Sequence, residues 1–203
     1  MSKKLIIVFE GIEGAGKSYH INKVAKYLKK IKKNFIQIRE PGGSINSEKI
    51  RKLILDNKST FNKYTDLLLY LSARSENLEL IKKNIGKKII LIDRFSDSTI
   101  AYQHYGMKVN FKFIKFINEF LLKGIKINFT FLNIVNKKNM KKRLTKRKNL
   151  NRYDKFDYNF YDKVQKGFIK ILKKKPKKYM LINSNLNIRY NVKTILDKID
   201  NLI

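Results

Sequence analysis

A glycine-rich stretch near the beginning of the chain restricts its possible folds more than any other feature. Residues 11–18 read Gly-Ile-Glu-Gly-Ala-Gly-Lys-Ser, which matches G-x-x-x-x-G-K-[ST], the phosphate-binding P-loop. The apolar run Leu5–Phe9 before it is typical of a buried strand, and the segment after it, to about Lys32, is typical of a helix. A strand, this loop and a helix in that order predict a nucleotide site at the edge of a parallel sheet.

Each residue type in the motif has a physical role in holding phosphate. The glycines allow backbone angles and close approaches that a Cβ would block, so that backbone N–H groups can face phosphate oxygens. The N-terminus of the following helix adds its positive end. Lys17 can reach the β- and γ-phosphates, and the Ser18 hydroxyl can bind Mg²⁺. The residues expected to bind ATP are Gly11, Ile12, Glu13, Gly14, Ala15, Gly16, Lys17 and Ser18.

Short apolar strands alternate with amphipathic helices along the rest of the chain. This alternation predicts an α/β fold of the P-loop NTPase type, a parallel five-stranded sheet with helices on both faces. No linker and no repeat divides the 203 residues, so we expect a single domain, residues 1–203. The predicted strands are Lys4–Phe9, Asn34–Arg39, Lys88–Ile92, Ile127–Leu132 and Tyr179–Ile182. The predicted helices are Lys17–Lys32, Ser47–Asp56, Lys63–Asn84, Ser96–Tyr105, Asn110–Leu122, Lys137–Arg147, Asn159–Lys173 and Ile188–Leu202.

The composition excludes sites built from cysteine, and the high positive charge has two possible explanations. The chain has no cysteine, which rules out disulfides and thiolate metal sites. Residues 1–4 contain no signal core, and no apolar run approaches the ~20 residues of a membrane span, so we expect a cytoplasmic protein. The net charge of +31 is compatible with a nucleic-acid partner. We favour the alternative that lysines spread over helix faces are solvated and steer nucleotides toward a site.

Polar residues follow the predicted strands at the edge where the P-loop lies. Arg39-Glu40-Pro41-Gly42-Gly43 follows the second strand, and Asp93-Arg94 follows the third. Asp93 fits the strand-terminal carboxylate that holds Mg²⁺ in nucleotide sites, although Asp is also a good cap for the helix beginning near Ser96. Arg94 presents a planar fork that suits phosphate, and the alternative is a surface ion pair. The residues expected to hold the metal are Ser18 and Asp93.

Several segments in order resemble the thymidylate kinase family, bacterial type, over nearly the whole chain. Besides the P-loop and Arg39–Gly43, they are Leu-Tyr-Leu-Ser-Ala-Arg at 69–74, Asp-Arg-Phe-Ser-Asp-Ser-Thr-Ile-Ala-Tyr-Gln at 93–103 and a basic segment from Arg143 to Arg152. The P-loop alone is common to many families, whereas the joint occurrence of the others is far more specific. The resemblance implies that ATP and dTMP give ADP and dTDP, with Mg²⁺, in dTTP synthesis. It also suggests a homodimer, for which the apolar helix near Leu67–Leu71 is one candidate interface, although burial within the subunit explains that helix as well.

The resemblance also implies a set of residues for the dTMP site. Glu13 stands where the family keeps an acidic residue near the 3′-hydroxyl of dTMP, and Tyr70 stands where a Phe often stacks on thymine. Arg74, one helical turn later, is assigned to the thymine carbonyl edge. Without the resemblance, Tyr70 would be read as core and Arg74 as a surface residue. The residues expected to bind dTMP are Glu13, Arg39, Glu40, Arg51, Tyr70, Arg74, Arg94, Ser98, Tyr102 and Gln103.

The helix after Asp93 carries three of these residues. Ser98 and Tyr102 are four positions apart, so a helix would place them on one face. The Gln103 amide can both donate and accept, which suits the edge of a pyrimidine, although on sequence alone it could equally be a solvated helix residue.

The basic segment, residues 143–157, resembles the family lid, whose arginines in the bacterial type supply the cation that the P-loop lacks. The P-loop here contains Glu13 and no arginine, in keeping with that division. Arg143 is expected to flank adenine in the ATP site. The alternative for each lid arginine is a solvated basic helix end. The side chains expected to act in catalysis are Lys17, Arg94, Arg147 and Arg152.

Three other functions would keep part of this pattern. A regulatory GTPase needs N-K-x-D, and Asn-Lys-Lys-Asn at 136–139 lacks the Asp. A kinase for another nucleoside monophosphate or a small metabolite would keep the same P-loop, and Tyr70, Arg74 and Gln103 are what favour thymine. A nucleic-acid-binding protein explains the charge but not the P-loop, which makes it the most distant alternative. For the kinase, no general base is expected, because the accepting phosphate oxygen is already ionised.

Overall fold

A parallel sheet of five strands forms the centre of the molecule, as seen in a computed structural model that describes residues 5–203. The strands are β1 (Ile6–Gly11), β2 (Phe35–Arg39), β3 (Ile89–Asp93), β4 (Phe129–Ile134) and β5 (Tyr179–Asn183). Their spatial order is β2-β3-β1-β4-β5, which confirms the predicted fold class. Residues 1–4, which bear on the expected absence of a signal segment and on the predicted start of the first strand, lie outside the described residues.

Eight α-helices connect and cover these strands within residues 5–203. They are α1 (Lys17–Lys30), α2 (Ile45–Leu55), α3 (Lys63–Asn84), α4 (Ser96–Thr99), α5 (Phe111–Leu121), α6 (Lys137–Leu144), α7 (Tyr158–Lys174) and α8 (Ile188–Asp200). Most boundaries lie within about two residues of the predicted ones, but α6 ends before the predicted Arg147. Short 3₁₀ turns occupy Arg152–Lys155 and Pro176–Lys178. In the part of the chain that is described, no helix has the length and apolar character needed to cross a membrane.

The alternation of side chains along β1 explains why helices cover both faces of the sheet. Ile7 and Phe9 belong to one buried cluster, which includes Leu28 of α1 and Ile195 of α8. Val8 points to the opposite face and belongs to a second buried cluster, which includes residues of α3. Because β1 is buried on both faces, it forms a rigid base for the loop that follows it.

The strand order sets the position of the site. β1 lies between β3 and β4, and the connection after β1 leads to β2 on the β3 side, whereas the connection after β3 leads to β4 on the other side. Ligands in such sheets bind in the crevice at this switch point. The register places Arg39 beside Asp93, and Asp93 beside Phe9, so the segments that follow β1, β2 and β3 start at one edge.

The helix after β3 differs from the prediction in its geometry. After α4 it continues as a π-helical segment, Ile100–Gly106, whose turns are wider than those of an α-helix. Two glycines let α7 pack closely against it. A Cβ on Gly167 would lie 2.5 Å from the Tyr105 ring, and a Cβ on Gly106 would lie 2.7 Å from the Phe160 ring. The π turn leaves both Tyr102 and Gln103 buried on the side toward the sheet edge, although they are adjacent in sequence.

Candidate functional site

A cavity of about 200 Å³ opens beside the P-loop, at the carboxyl ends of the first three strands. Its walls come from the P-loop, the segment after β2, helix α3, the segment after β3 and the lid. Six basic and three acidic side chains line it, and such a surplus of positive charge attracts phosphorylated ligands. The basic residues are Lys17, Arg39, Arg51, Arg74, Arg94 and Arg147, and the acidic residues are Glu13, Glu40 and Asp93.

The P-loop reaches its shape through glycines in the left-handed region of backbone space. Gly11 has φ of +140°, and a Cβ there would lie 2.2 Å from the Asn133 carbonyl oxygen. Gly16 has φ of +87° and immediately precedes α1, whose first N–H groups receive no side-chain cap. Ile12 and Ala15 are fully buried and anchor the loop in the core. The loop therefore presents backbone donors and an uncapped helix N-terminus to the cavity.

Lys17 is a buried cation at the floor of the cavity. Its Nζ donates to the Ile12 carbonyl oxygen at 2.9 Å, within its own loop. Burial and the nearby Arg94 guanidinium lower the pKa of Lys17 to about 8. The hydrogen bond of this side chain thus lies within its own loop.

Ser18 and Asp93 meet at the junction of the P-loop and β3. The Ser18 hydroxyl donates to Asp93 Oδ2 at 2.7 Å. The alternative role of Asp93, as cap of the helix that follows, is taken by another residue: Glu10 accepts hydrogen bonds from the backbone N–H groups of Phe95 and Ser98. The carboxylate of Asp93 is consequently free to face the cavity.

Arg94 is fixed by contacts to the P-loop and to the π-helical segment. Nη1 donates to the Gly11 carbonyl oxygen at 2.9 Å and to the Tyr102 hydroxyl at 3.2 Å, while Nη2 donates to Glu13 Oε1 at 2.8 Å. Tyr102 in turn donates to the other oxygen of Glu13. The guanidinium is only 17% exposed, so the alternative of a surface ion pair does not hold. Arg94, Glu13 and Tyr102 form one connected group on the cavity wall.

Glu10 is a residue of the site region that the sequence analysis did not single out. It is fully buried, and besides the two N–H groups of α4 it accepts a hydrogen bond from the Ser98 hydroxyl. Burial and the neighbouring Asp97 carboxylate raise the pKa of Glu10 to about 8. Ser98, which was expected to bind dTMP, lines the cavity but turns its hydroxyl toward Glu10.

On the far side of the cavity, Arg74 and Glu40 form a buried ion pair. Arg74 Nε donates to Glu40 Oε2 at 2.8 Å, and the two side chains are 2% and 5% exposed. Arg74 Nη1 also donates to Asn118 Oδ1 at 2.8 Å. Arg74 is therefore no surface residue, contrary to the reading without the resemblance. Tyr70 lines the same wall, with its ring edge-to-face on Tyr153 at 5.7 Å, and burial raises the pKa of its phenol above the ordinary value.

Four buried side-chain atoms in residues 5–203 have no hydrogen-bond partner, and three of them belong to residues of the cavity wall. These three are Glu40 Oε1, Thr99 Oγ1 and Gln103 Nε2, and the fourth is Asn118 Nδ2 beside Arg74. Gln103 is 1% exposed, which excludes the solvated-helix alternative. Thr99 was missed by the sequence analysis, because a helical face through Ser98 and Tyr102 does not include it. Unpaired buried polar atoms are costly, so their position at a cavity points to a polar ligand.

Arg39, the last residue of β2, and Arg51, on α2, lie on the cavity wall. Arg39 forms two hydrogen bonds of 3.0 Å with the carboxylate of Glu48. Arg51 Nη1 donates to the Pro41 carbonyl oxygen at 2.6 Å. Both side chains line the cavity, as expected from the sequence, but each is already held by a partner.

The three lid arginines have different surroundings. Arg143 donates to the carbonyl oxygens of Gly14 at 2.8 Å and Ser184 at 2.6 Å, so it lies against the outside of the P-loop. Arg147 lines the cavity and is paired with the buried Asp154, while 42% of its own side chain remains exposed.

Arg152, which was expected to be catalytic, does not line the cavity. Its guanidinium is turned toward helices α2 and α3, where it donates to the Ile54 carbonyl oxygen at 3.0 Å and pairs with the buried Asp66. Tyr153 donates to the other oxygen of Asp66 at 3.1 Å. The lid segment is thus fastened to α3, and the fastening occupies Arg152.

Comparison with known proteins identifies relatives of this chain. The family model "Thymidylate kinase" matches residues 9–195. The chain is 36% identical over 198 residues to the thymidylate kinase of Thermosipho africanus, covering 96% of this chain and 98% of the relative. It is 35% identical over 204 residues to the thymidylate kinase of Mycoplasma capricolum, covering 96% of each.

A solved structure agrees with these sequence matches. The crystal structure of thymidylate kinase from Ehrlichia chaffeensis superposes with a TM-score of 0.79 at 28% sequence identity, covering 98% of this chain and 99% of the other. The matching segments include the P-loop, the segments after β2 and β3, and the lid. The chain therefore belongs to the thymidylate kinase family.

Proposed function

We propose that this chain transfers the γ-phosphate of ATP to dTMP, forming ADP and dTDP in dTTP synthesis. One observation carries the proposal: a single cavity has a phosphate-binding loop at one end and unpaired buried polar atoms of Thr99 and Gln103 at the other. The first feature fits a nucleoside triphosphate, and the second fits the polar edge of a base. Family membership supports the same reaction.

ATP is assigned to the P-loop side of the cavity. Backbone N–H groups of residues 11–18 and the uncapped N-terminus of α1 would surround the β- and γ-phosphates. Lys17 would exchange its bond with Ile12 for a phosphate oxygen. Arg143, which lies against Gly14, would flank the adenine end of the nucleotide.

The ion assigned to this site is Mg²⁺, and Ser18 and Asp93 are the residues that would hold it. Their oxygens are 2.7 Å apart at the end of the P-loop, and hard oxygen donors are what this ion prefers. No group of three or more acidic, His or Cys side chains among residues 5–203 could hold a metal by itself. This suits an ion that takes its remaining ligands from water and substrate phosphates. When bound, the ion would neutralise charge on the phosphates.

dTMP is assigned to the side of the cavity between α3 and the π-helical segment. Gln103 Nε2 and Thr99 Oγ1 would meet the polar edge of thymine, and Tyr70 would stack on the base. Glu13, held by Arg94 and Tyr102, would accept a hydrogen bond from the sugar 3′-hydroxyl. The remaining residues would fix the phosphate and the pocket wall: Arg39, Glu40, Arg51, Arg74 and Ser98.

Phosphoryl transfer requires mainly in-line placement and fixed positive charge. Arg94 lies between the two proposed nucleotides and would contact the acceptor phosphate and the transferring group. Arg147, from the lid, would add a cation from the opposite side when the lid closes. Closure of residues 143–157 over the single domain would exclude water and suppress hydrolysis of ATP. Arg152, which does not line the cavity, would act indirectly: its bonds to Asp66 and Ile54 hold the lid segment in place.

A coupled assay of ADP release tests the function directly. The purified protein is supplied with ATP, Mg²⁺ and one acceptor at a time: dTMP, dUMP, dCMP, dGMP or AMP. We expect turnover with dTMP well above all the others. Equal turnover with another monophosphate would move the assignment to a different nucleoside monophosphate kinase. Binding of DNA without any turnover would favour the nucleic-acid alternative, which stays a prediction based on charge alone.

We propose in addition that the protein forms a homodimer in the cytoplasm, where ATP and deoxynucleotides are available. In the Leu67–Leu71 stretch considered from the sequence, Leu67 and Leu71 are buried within the subunit, whereas Leu68 is 50% exposed. Phe116 and Phe120, four positions apart on α5, are 70% and 74% exposed, and such exposed aromatic residues mark association surfaces.

Sedimentation velocity tests the dimer. The wild-type protein should sediment as a dimer at micromolar concentration, and the double variant Phe116→Ser/Phe120→Ser as a monomer. Leu186→Ser, which replaces an exposed apolar residue elsewhere, serves as the matched control and should remain a dimer. A monomeric wild-type protein would rule the interface out.

A further inference from the structure

We propose that Glu10 is a positioning residue for phosphoryl transfer. From the end of β1 it caps the N-terminus of α4, and in this way it holds Arg94 and the acceptor-pocket helix in place relative to the P-loop. The kinetic part of this inference rests on the proposed function, whereas the capping part concerns the protein without ligands.

The contacts of Glu10 show what it holds. Its Oε1 accepts from the Phe95 N–H at 2.8 Å and from the Ser98 N–H at 3.2 Å, and its Oε2 accepts from the Ser98 hydroxyl. Phe95 is the N-cap residue of α4 and has no side chain that could cap the helix. Glu10 therefore supplies, from a different strand, the acceptors that a Ser or Asp would normally supply locally.

The next residue of β1 completes the connection. The Gly11 carbonyl oxygen accepts from Arg94 Nη1 at 2.9 Å. Glu10 and Gly11 thus hold both the side chain of Arg94 and the backbone that immediately follows it. Arg94 itself has φ of +67°, a conformation that a non-glycine residue keeps only when its surroundings impose it. Loss of the Glu10 contacts would release the segment that carries this conformation.

A comparison of helix N-termini supports the same reading. Six α-helices of the described chain are capped by a side chain of the residue just before them: Ser44, Asn62, Asn110, Asn136, Asp157 and Asn187. The two exceptions, α1 and α4, both begin at the cavity. The N–H groups of α1 face the proposed phosphate site, whereas Glu10 accepts from the Ser98 N–H of α4 and from the Phe95 N–H just before the helix. The N-terminus of α1 is thus left for the ligand, whereas the N-terminus of α4 is held in a fixed position by Glu10.

The surroundings of Glu10 define the variants that test the proposal. Glu10 has no exposed surface, and the elevated pKa given above favours a protonated carboxyl group at neutral pH. A protonated carboxyl group would donate from Oε2 to the Ser98 oxygen, so the Ser98 hydroxyl would turn away from Oε2, while Oε1 would still accept from the two N–H groups. Gln at this position has the same length and the same donor and acceptor, whereas Asp keeps the acid but is one methylene too short to reach α4.

Steady-state kinetics of Glu10→Gln, Glu10→Asp and Glu10→Ala form the first experiment. We expect kcat/KM for dTMP to fall about 100-fold in the Ala and Asp variants, as for a small misplacement of reacting groups, and to stay within about fivefold in the Gln variant. The KM for ATP should change much less, because the P-loop keeps its own contacts. Equal behaviour of all three variants, or wild-type constants in Glu10→Ala, would overturn the proposal.

Hydrogen exchange of the unliganded protein forms the second experiment and needs no activity. In Glu10→Ala the amide of Phe95 should exchange faster, while those of α1 should not; the Ser98 amide should change less, because it also donates to the Phe95 carbonyl oxygen at 3.0 Å. Leu28→Ala, which removes buried side-chain atoms of α1 far from α4, is the control for general destabilisation and should leave Phe95 and Ser98 protected. Unchanged protection in Glu10→Ala would refute the capping role. Absence of dTMP turnover in the wild-type protein would refute the proposed function and leave this result intact.

Discussion

The P-loop and the lid both bring cations to the cavity, but they hold them in different ways. Lys17 is buried and donates to Ile12, five residues away in its own loop. Arg147 and Arg152 each pair with an aspartate outside the P-loop: Asp154 within the lid and Asp66 on α3. The P-loop thus holds its cation through its own backbone, whereas the lid arginines are held by aspartates, one within the lid and one on α3.

This difference shows why one basic residue can be assigned from a motif and another cannot. In the P-loop, the spacing of glycines and lysine determines where the ammonium group lies. In the lid, two arginines only five positions apart point in different directions. Arg147 pairs with Asp154, and Arg152 pairs with Asp66. The following experiments test this contrast, from the largest expected effect to the smallest.

The largest effect is expected from the P-loop cation. Lys17→Ala should lower kcat about 1,000-fold, because a buried charge aimed at the transferring group contributes most where water is excluded. The coupled assay with saturating ATP and dTMP measures it. Lys17→Arg keeps the charge but changes the reach of the side chain. Its kcat should lie between those of the wild type and Lys17→Ala. A loss below about tenfold in Lys17→Ala would mean that the lid supplies most of the charge.

The next effect concerns stability. Arg152→Ala should lower the free energy of unfolding by about 3 kcal/mol, because it leaves the buried carboxylate of Asp66 without its cation. Urea denaturation measures this change. The double variant Arg152→Ala/Asp66→Asn removes the unpaired charge and should recover part of the loss. If Arg152→Ala instead keeps its stability and loses as much kcat as Arg147→Ala, Arg152 acts in catalysis and the contrast within the lid is wrong.

Arg147→Ala should lower kcat about 100-fold and leave the KM for dTMP nearly unchanged. The expected loss is smaller than for Lys17, because the Arg147 side chain is 42% exposed and solvent screens its charge. Lys146→Ala removes an exposed cation next to it in the lid and is the matched control, with kcat close to wild type. Equal losses in the two variants would indicate a general effect of lid charge.

The smallest effect is a pH dependence at the foot of the P-loop. Burial and the nearby Arg143 guanidinium lower the pKa of His20, partly offset by its hydrogen bond to Asn133. As the pH falls, the folded protein therefore takes up a proton at His20 later than the unfolded chain does, whose ordinary pKa is 6.5. Acidification then favours the unfolded state. Between pH 7 and pH 5, the ligand-free wild type should lose more stability than His20→Gln, as measured by urea denaturation, and parallel losses would contradict the assignment.

The parts of the molecule that could be predicted from sequence are those with local causes. The strands and α3 follow from apolar periodicity, and the pairing of Ser18 with Asp93 follows from strand order. The direction of Arg152 could not be predicted, because it depends on an acid 86 residues away in sequence. The bond of Ser98 to Glu10 could not be predicted either, because it joins α4 to the end of β1, 88 residues away in sequence.

The direction of the side chains in the acceptor pocket depends on the exact number of residues in the π-helical segment. A π turn accommodates one residue more than an α turn, so the segment Ile100–Gly106 is equivalent to an α-helix with an inserted residue. Deleting one residue there would tighten the turn and rotate the side chains beyond the deletion by about 100° around the helix axis. Loss of a single codon, without any substitution in the pocket, would thus move Gln103 out of the proposed base site and alter which nucleotide is accepted.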